Sequence, residues 1–509
     1  MSALANPLPG VSIPTRAAAG RDFTASLVVF LVAMPLCMGI AVASGVPPER
    51  GLVTGIIGGL IVGMFAGSPL QVSGPAAGLA VIVFELVRDH GLSALGPILL
   101  LAGIIQLAAG ALKMGGLFRA ISPAVVHGML AGIGVLIVVG QFHVLFDAKP
   151  LPSGLANLSA MPARLLGLSP WTLAQAEMAF AVGVLTIGAM LGWEKFRPAA
   201  LRLVPGALVG VVVGTALAFF LGLPVSRVAV PPIADAVALP QTGWLSLFAN
   251  PAILTAALAI AFIASAETLL SAAAVDKMHD GVRTDYNKEL RAQGIGNMLC
   301  GFLGALPMTG VIVRSSANVQ AGAITRLSTI LHGAWILAFV AVLPFVLREI
   351  PMAALAAVLV VTGWRLVSVA HVWHLFHAYG ILPALIWAAT LIVVVAEDLL
   401  TGVLVGIGLS LIELIPHVRR LGLKIESGQN GAEHAIRLEG AATFVTLPRL
   451  TAALEAAPIG QPVRIDASQL ATVDHTAAEM LTDWFARRRA SGMPALLDGA
   501  SPKLLAIAG

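Results

Sequence analysis

The chain has 509 residues, of which 58% are hydrophobic and 11% charged, with a formal net charge of +4. That composition lies far outside globular averages, excludes a soluble globular protein and marks an integral membrane protein. The basic excess does not call for nucleic acid, because Lys and Arg in membrane proteins mark the cytoplasmic loops.

The opening stretch Met1–Asp22 has no charged region followed by an apolar core and a cleavage site. No cleaved signal peptide is expected. Apolar runs able to span or half-span a bilayer then follow at 22–44, 51–66, 74–88, 95–112, 121–146, 172–192, 203–222, 251–275, 289–305, 311–322, 327–347, 351–364, 379–396 and 400–416. A full span takes about 20 residues, so this is about fourteen segments. With the N-terminus inside, the cytoplasmic loops hold Lys113, Arg119, Lys195, Arg197, Arg202, Lys277, Arg283, Lys288, Arg291, Arg326, Arg365, Arg419 and Arg420. The opposite loops hold Arg50, Arg88, Lys149, Arg164, Arg227 and Arg348, an asymmetry of about two to one that places both termini in the cytoplasm. Cys37 and Cys300 both lie in apolar runs and read as packing residues rather than a disulfide.

The third run opens at Gln71-Val-Ser-Gly-Pro-Ala-Ala-Gly78, with Pro and Gly among small residues. The tenth opens at Leu306-Pro-Met-Thr-Gly310 and carries Arg314, Ser315, Ser316, Asn318 and Gln320. Each reads as a helix that starts inside the membrane, exposing unpaired N–H groups and a positive dipole end at mid-depth. Arg314, about one turn in, adds a full positive charge there, a combination suited to an anion. One such interruption is an ordinary kink. Two, seven segments apart, match two halves repeated with inverted topology and a binding site at the midplane.

Glu267 lies deep in the eighth run, AFIASAETLLSAAAVDKM, close to Thr268 and Ser271. A carboxylate there must be paired, neutralised or bound to a cation. It can pair with Arg314, coordinate Na⁺ or carry a proton. Asp276 and Lys277 read as interfacial, Glu397 and Asp398 as a solvated loop, and His127, His143 and His332 as structural hydrogen-bonders.

After Pro416 the pattern changes. Strands are expected in LGLKIES, HAIRLEGAATF, QPVRIDASQ and MPALLDGA, and helices in TLPRLTAALEAA and HTAAEMLTDWFARRRASG, with a short last helix from Ser501 to Gly509. This is a small α/β domain. There is no Walker A, HExxH or Cys/His ligand spacing, so transport should be secondary, with no resident metal, cofactor or catalytic set.

The stretches QVSGPAAGLAVIV, IASAETLLSAAAVDKM and RAQGIGNMLCGFLGALPMTGVIVRSSANVQAGAITRLS together resemble the SulP family of inorganic anion transporters. That family comprises bacterial bicarbonate and sulfate permeases and is related to the animal anion exchangers and prestin. The C-terminal VRIDASQLATVDHTAAEML is similar to a STAS domain. The resemblance implies an all-α polytopic membrane protein with two inverted seven-segment repeats, a core and a gate domain, and a small α/β STAS domain. The expected boundaries are 1–20 for a cytoplasmic N-terminal segment, 21–416 for the transporter and 421–509 for a cytoplasmic STAS domain. By the same resemblance the anion sits at Ser73, Gly74, Pro75, Ala76, Thr309, Gly310 and Arg314. Glu267, Ser271 and Thr309 form the cation-coupling set, with Na⁺ as coupling ion. A homodimer in the bacterial inner membrane with an elevator movement is implied.

Two departures qualify this pattern. An acidic residue of some relatives is replaced by Leu36 in Met34-Pro-Leu-Cys-Met38, which favours Na⁺ over protons. In the STAS domain Thr476, in Asp474-His475-Thr476, stands where regulatory relatives are phosphorylated, although a helix-capping or helix-starting role also fits. Bicarbonate ranks ahead of sulfate. A dicarboxylate carrier, an anion channel and a sensor remain open, while the absence of an acid in the tenth run argues against a nucleobase. A carbonic anhydrase would be a sensible partner for bicarbonate uptake.

Overall fold

In the computed structural model, residues 16–118, 122–167, 173–229, 237, 239, 244–279, 281–368, 373, 376–377, 381–414, 422–430, 433–443, 446–458, 461–490, 492 and 495–499 are described. The expected last helix, 501–509, and Arg119, Arg419 and Arg420 lie outside them. A helix occupies each of the fourteen apolar runs. Six of the described helices are both long and apolar enough to cross a membrane. The described residues up to Lys113, with Gly134–Arg365, form one compact unit; Met114–Ile133 and the described residues from Leu366 onward form another.

The first unit opens with α1 (Arg16–Ala43) and α2 (Pro48–Ile56), whose Pro48 occupies the first helical position, where its missing N–H costs nothing. A π-helical turn, Ile57–Val62, continues α2. Then come β1 (Ser73–Pro75), α3 (Ala77–His90) and α4 (Leu95–Ala111). Helix α5 (Pro123–Leu145) runs through both units; α6 (Gly154–Leu165), α7 (Leu173–Phe196) and α8 (Gly206–Phe220) follow. The second run of helices comprises α9 (Pro251–Asp276), α10 (Tyr286–Phe302), β2 (Met308–Gly310), α11 (Ile312–Gln320), α12 (Leu327–Val342) and α13 (Met352–Leu366).

Local chemistry sets several of these starts. Asn250 caps α9 by accepting from Ala252 N at 3.0 Å, just before Pro251. Asp285 caps α10 through Asn287 N and Lys288 N. Asp22, fully buried on α1, accepts from Ile324 N (2.7 Å), Thr325 N (3.0 Å) and Thr325 Oγ1, organising the turn before α12. Asp276, at the end of α9, is buried: it accepts from Thr284 Oγ1 (2.9 Å) and Tyr286 OH (3.1 Å), closing the turn between α9 and α10.

Lipid offers little hydrophobic drive between helices, so close packing must hold them. The seam between α4 and α10 shows how. A Cβ at Gly294 would meet Leu107 N at 2.6 Å and Gly103 O at 2.7 Å. One at Gly301 would meet Gly96 O at 2.6 Å. These are backbone atoms, which cannot swing aside. In the same unit Phe146 and Phe180 stack at 4.4 Å, and Ala353 and Ala354 of α13 pack against Val182 and Ala218.

The second unit contains α14 (Ile381–Ala396) and α15 (Leu399–Leu414), the latter started by Asp398, which accepts from Thr401 N at 2.9 Å. Asp398 thus starts a helix, while Glu397 is exposed in the bend after α14, as a solvated loop residue. A four-stranded sheet follows, in the order β3 (Leu423–Asn430), β4 (Glu433–Ala442), β5 (Val463–Val473), β6 (Ala495–Asp498). β3 and β4 form an antiparallel hairpin; the β4–β5 and β5–β6 pairs are parallel, with α16 (Leu447–Glu455) and α17 (His475–Ala490) as the crossovers. Ile436, Leu438, Leu450, Ile465, Leu481, Trp484 and Phe485 form its core, as the alternation of the strands predicts.

The α4–α10 seam yields a stability prediction. Gly294→Ala should cost about 1–3 kcal/mol through overpacking and lower the melting temperature of the detergent-solubilised protein. Gly188→Ala on α7, whose Cβ meets nothing within 4 Å, should leave it unchanged or raise it. An unchanged melting temperature for Gly294→Ala would refute the close seam.

Candidate anion site

The third and tenth runs meet through β1 and β2. These three-residue strands pair antiparallel, with Ser73 opposite Gly310, Gly74 opposite Thr309 and Pro75 opposite Met308. All six residues are buried. Helix α3 leaves β1 after Ala76, and α11 leaves β2 after Val311; no side chain caps either start. The two helix N-termini therefore present backbone N–H groups and positive dipole ends on either side of one strand pair.

Extended backbone this deep must find partners for every N–H and C=O it does not pair. Neighbouring helices supply them. Asn297 of α10 accepts from Met308 N at 2.8 Å and donates to Met308 O at 3.1 Å, and also donates to Gln106 Oε1 of α4 at 2.8 Å. Thr268 Oγ1 of α9 accepts from Gly310 N at 3.1 Å. Gln71, whose amide fills the space a Cβ at Gly310 would need, donates to Thr268 O at 3.1 Å. On α11, Ser315 Oγ accepts from Val72 N at 2.9 Å and Asn318 Nδ2 donates to Leu70 O at 3.0 Å. The π-helical turn presses in from the other side: a Cβ at Gly58 would meet Gly74 N at 3.2 Å, and one at Gly59 would meet Gly333 Cα at 2.6 Å. Widened turns of this kind often mark functional sites in helices.

Arg314 stands one turn into α11 and is fully buried. Its guanidinium lies where a Cβ at Gly74 would stand, so a side chain there would push the guanidinium aside. Nε, Nη1 and Nη2 make no hydrogen bond to oxygen or nitrogen, the Cys37 thiol being the polar group within reach, and no carboxylate among the described residues pairs with it. An unpaired buried charge is among the most expensive states a protein adopts, and five N–H donors beside Gly74 are of a kind suited to an oxyanion. The Cys37 thiol of α1 and the His332 imidazole of α12 lie within the field of this charge.

Glu267 takes a different place. Its carboxylate packs on Gly78 in the first turn of α3, where a Cβ would meet Oε2 at 2.8 Å and Oε1 at 2.9 Å. Oε2 is shielded and without a hydrogen-bond partner. No ion pair joins Glu267 to Arg314, which removes pairing from the three roles the sequence allowed. Ser271 lies one turn further along α9, buried; Thr309 is buried, its hydroxyl 3.4 Å from Gly310 O.

The structure thus brings together Ser73, Gly74, Pro75, Ala76, Thr309, Gly310 and Arg314 around one strand pair, with Glu267 at the start of α3. Thr476 belongs elsewhere, as the second residue of α17. The cap of that helix is Asp474, which accepts from Ala477 N at 2.8 Å. His143 is structural, bonded through Nε2 to Asn157 O at 3.0 Å. Among the described residues no group of His, Cys, Asp and Glu forms a metal cluster. Sequence reasoning missed Gln71, Gln106, Glu289, Gln293 and Asn297. A signal existed: Asp285, Glu289, Gln293 and Asn297 recur every four residues, a polar stripe along one face of α10.

Known proteins match this architecture. Residues 20–390 match the model of the sulfate permease family, and residues 425–508 that of a STAS domain of the Mlab type. A putative sulfate transporter of Bacillus subtilis, YvdB, is 31% identical over 78% of this chain and 73% of its own length. The bicarbonate transporter BicA of a Picosynechococcus species is 27% identical over 82% of this chain and 74% of its own. Among solved structures, the transmembrane domain of a cyanobacterial BicA superposes with a TM-score of 0.66 over 76% of this chain and 98% of that one, at 23% identity. SLC26A9 superposes with a TM-score of 0.68 over 98% of this chain and 87% of that one, at 14% identity.

Asn297→Leu, near in volume but without donor or acceptor, strands Met308 N–H and C=O at roughly 1–3 kcal/mol per group. The variant should melt at lower temperature and transport poorly. Wild-type stability and uptake would show that β2 does not depend on the clamp.

Proposed function

The chain belongs to the sulfate permease family and is an anion transporter, and from that premise we propose that its anion is bicarbonate, carried with Na⁺ across the bacterial inner membrane. Arg314 is the observation that carries this reading: one buried guanidinium with three unpartnered nitrogens beside Gly74. Its planar fork matches a trigonal oxyanion bidentately, and its single charge balances a monoanion. Ser73, Gly74, Pro75, Ala76, Thr309 and Gly310 supply the walls and the helix-start donors. The name of the Picosynechococcus relative supports bicarbonate.

Sodium follows from charge. Glu267 has an unpartnered oxygen in the same unit as the anion site, and the Leu36 position carries no acid. Na⁺ at Glu267, with Ser271 and Thr309, and bicarbonate at Arg314 give two neutral pairs, the form in which a core can cross a low-dielectric layer. In this reading the strand pair and its helices move as one body in an elevator cycle. The molecule works as a homodimer, moves its substrate chemically unchanged and keeps its STAS domain in the cytoplasm. There Thr476 is the regulatory position and a carbonic anhydrase the fitting partner. The rival reading, sulfate with proton coupling or exchange, draws on the names of the Bacillus subtilis relatives.

Uptake into proteoliposomes separates the two. Labelled bicarbonate should accumulate only with an inward Na⁺ gradient; labelled sulfate uptake, or uptake driven by pH and indifferent to Na⁺, would overturn substrate and coupling. Arg314→Ala should lower uptake at least ~30-fold, the scale of losing one partner of a buried charge pair. Unchanged uptake at normal expression would remove Arg314 from the site. Glu267→Gln should abolish the Na⁺ dependence, and retained dependence would exclude it from coupling.

A further inference from the structure

Arg314 has a neighbour that the anion reading leaves unused. The thiol of Cys37, on α1, lies within reach of the guanidinium, and Cys37 is fully buried. Its place is fixed by α2. A Cβ at Gly51 would collide with Cys37 O, so the two helix backbones touch there. One turn later, a Cβ at Gly55 would meet Cys37 Sγ at 2.8 Å and Ile336 Cδ1 of α12 at 3.2 Å. The sulfur therefore fills the space that Gly55 leaves open. His332, also in the field of the Arg314 charge, is engaged elsewhere. Its Nδ1 donates to Thr329 O, its Cε1 lies 2.9 Å from where a Cβ at Gly59 would stand, and its Nε2 makes no hydrogen bond.

A guanidinium carried on a long, flexible stem loses much rotamer freedom when it is held in one place. Something must hold it there while the anion is absent. A carboxylate partner would do so, but it would also neutralise the charge that an anion needs, and parting the pair would be expensive. An apolar neighbour would leave every donor idle. A thiol stands between these cases. Buried away from water it keeps its proton, so it brings no charge. Its sulfur is only a weak acceptor, so it can take one N–H of the five and leave the others open. The neighbouring position on α1 is Leu36, so no acid stands beside the thiol in the sequence.

We propose that Cys37 is a positioning residue for anion binding: its sulfur accepts from the Arg314 guanidinium and holds it against Gly74 without cancelling its charge. The proposal rests on the reading that Arg314 binds the anion. It parts from the packing role that an apolar run suggests for a cysteine, and the two roles rank substitutions in opposite order. In a packing role Ala replaces Cys37 better than Ser does, because a hydroxyl among apolar side chains is costly. In a positioning role Ser is the better replacement, because it keeps an acceptor where the guanidinium needs one.

The test is uptake by the full-length protein in proteoliposomes, using labelled bicarbonate, or labelled sulfate should that be the anion carried. Cys37→Ala should raise KM about fivefold, the scale of one net hydrogen bond, with Vmax near wild type. Cys37→Ser should keep the wild-type KM or lower it. Added to Arg314→Ala, Cys37→Ala should cause no further loss of uptake, because Cys37 acts only through that guanidinium. A wild-type KM for Cys37→Ala, an equal rise for Ala and Ser, or a further loss on the Arg314→Ala background overturns the proposal. Unchanged uptake by Arg314→Ala alone refutes instead the assignment of Arg314 to the site, and the proposal with it. Should Cys37→Ala fail to fold, Cys37→Val, apolar and close in size, must show the same rise in KM.

Discussion

The cost of leaving a polar group unpaired away from water shapes this molecule more than any other term. Two helices are broken at the strand pair, and each break frees backbone groups that lipid cannot satisfy. The solution is to pair the breaks with each other and to bring in Asn297, Thr268, Ser315 and Asn318 from surrounding helices for the remainder. Once the backbone is accounted for, the three nitrogens of Arg314 stand out. That contrast, many weak donors satisfied and the strongest one open, is what the proposed anion site rests on.

The same constraint explains the glycines. A strand pair inside a helical bundle leaves little room, and the side chains that hold it must reach across it. Gly74 admits the guanidinium, Gly310 the amide of Gln71, and Gly78 the carboxylate of Glu267. The seam between α4 and α10 is closed by Gly103, Gly294 and Gly301 against backbone. That seam carries Gln106, Gln293 and Asn297, three residues that bond to the strand pair or to its clamp. Close packing at the seam is what keeps the clamp in register, so stability and binding share the same residues.

Much of this could be read from the residues alone, and the reasons for the exceptions are physical. The apolar runs mark the helices because a spanning segment must be apolar for its whole length. Pro and Gly inside the third and tenth runs mark the breaks, and an Arg in an apolar run is the natural candidate for a site. The pairing of Ser73–Pro75 with Met308–Gly310 was not legible: three residues carry no alternation, and their register is set by Asn297 and Thr268, distant in sequence. The stripe Asp285, Glu289, Gln293, Asn297 was visible, yet it falls at the polar start of a helix, where acids and amides are ordinary. Nothing local reveals the turn that Asp276 closes, and Asp474 holds the cap for which Thr476 was a candidate.

The placement of the two charges bears on how coupling works in the proposed cycle. Had Glu267 and Arg314 been paired, each would satisfy the other, and separating them to admit an anion would cost much of what the anion returns. Glu267 instead packs against the first turn of α3, one of the two helix starts of the proposed anion site. A bare carboxylate there draws on the positive end of that helix and opposes a second negative charge nearby. A cation bound at Glu267 cancels that opposition and returns the helix start to the anion. Coupling then needs no contact between the two solutes and no relay of moving parts: the cation must come first because the empty carboxylate and the anion compete for one dipole. By the same reasoning the anion strengthens the hold on the cation, since linkage between two sites is reciprocal.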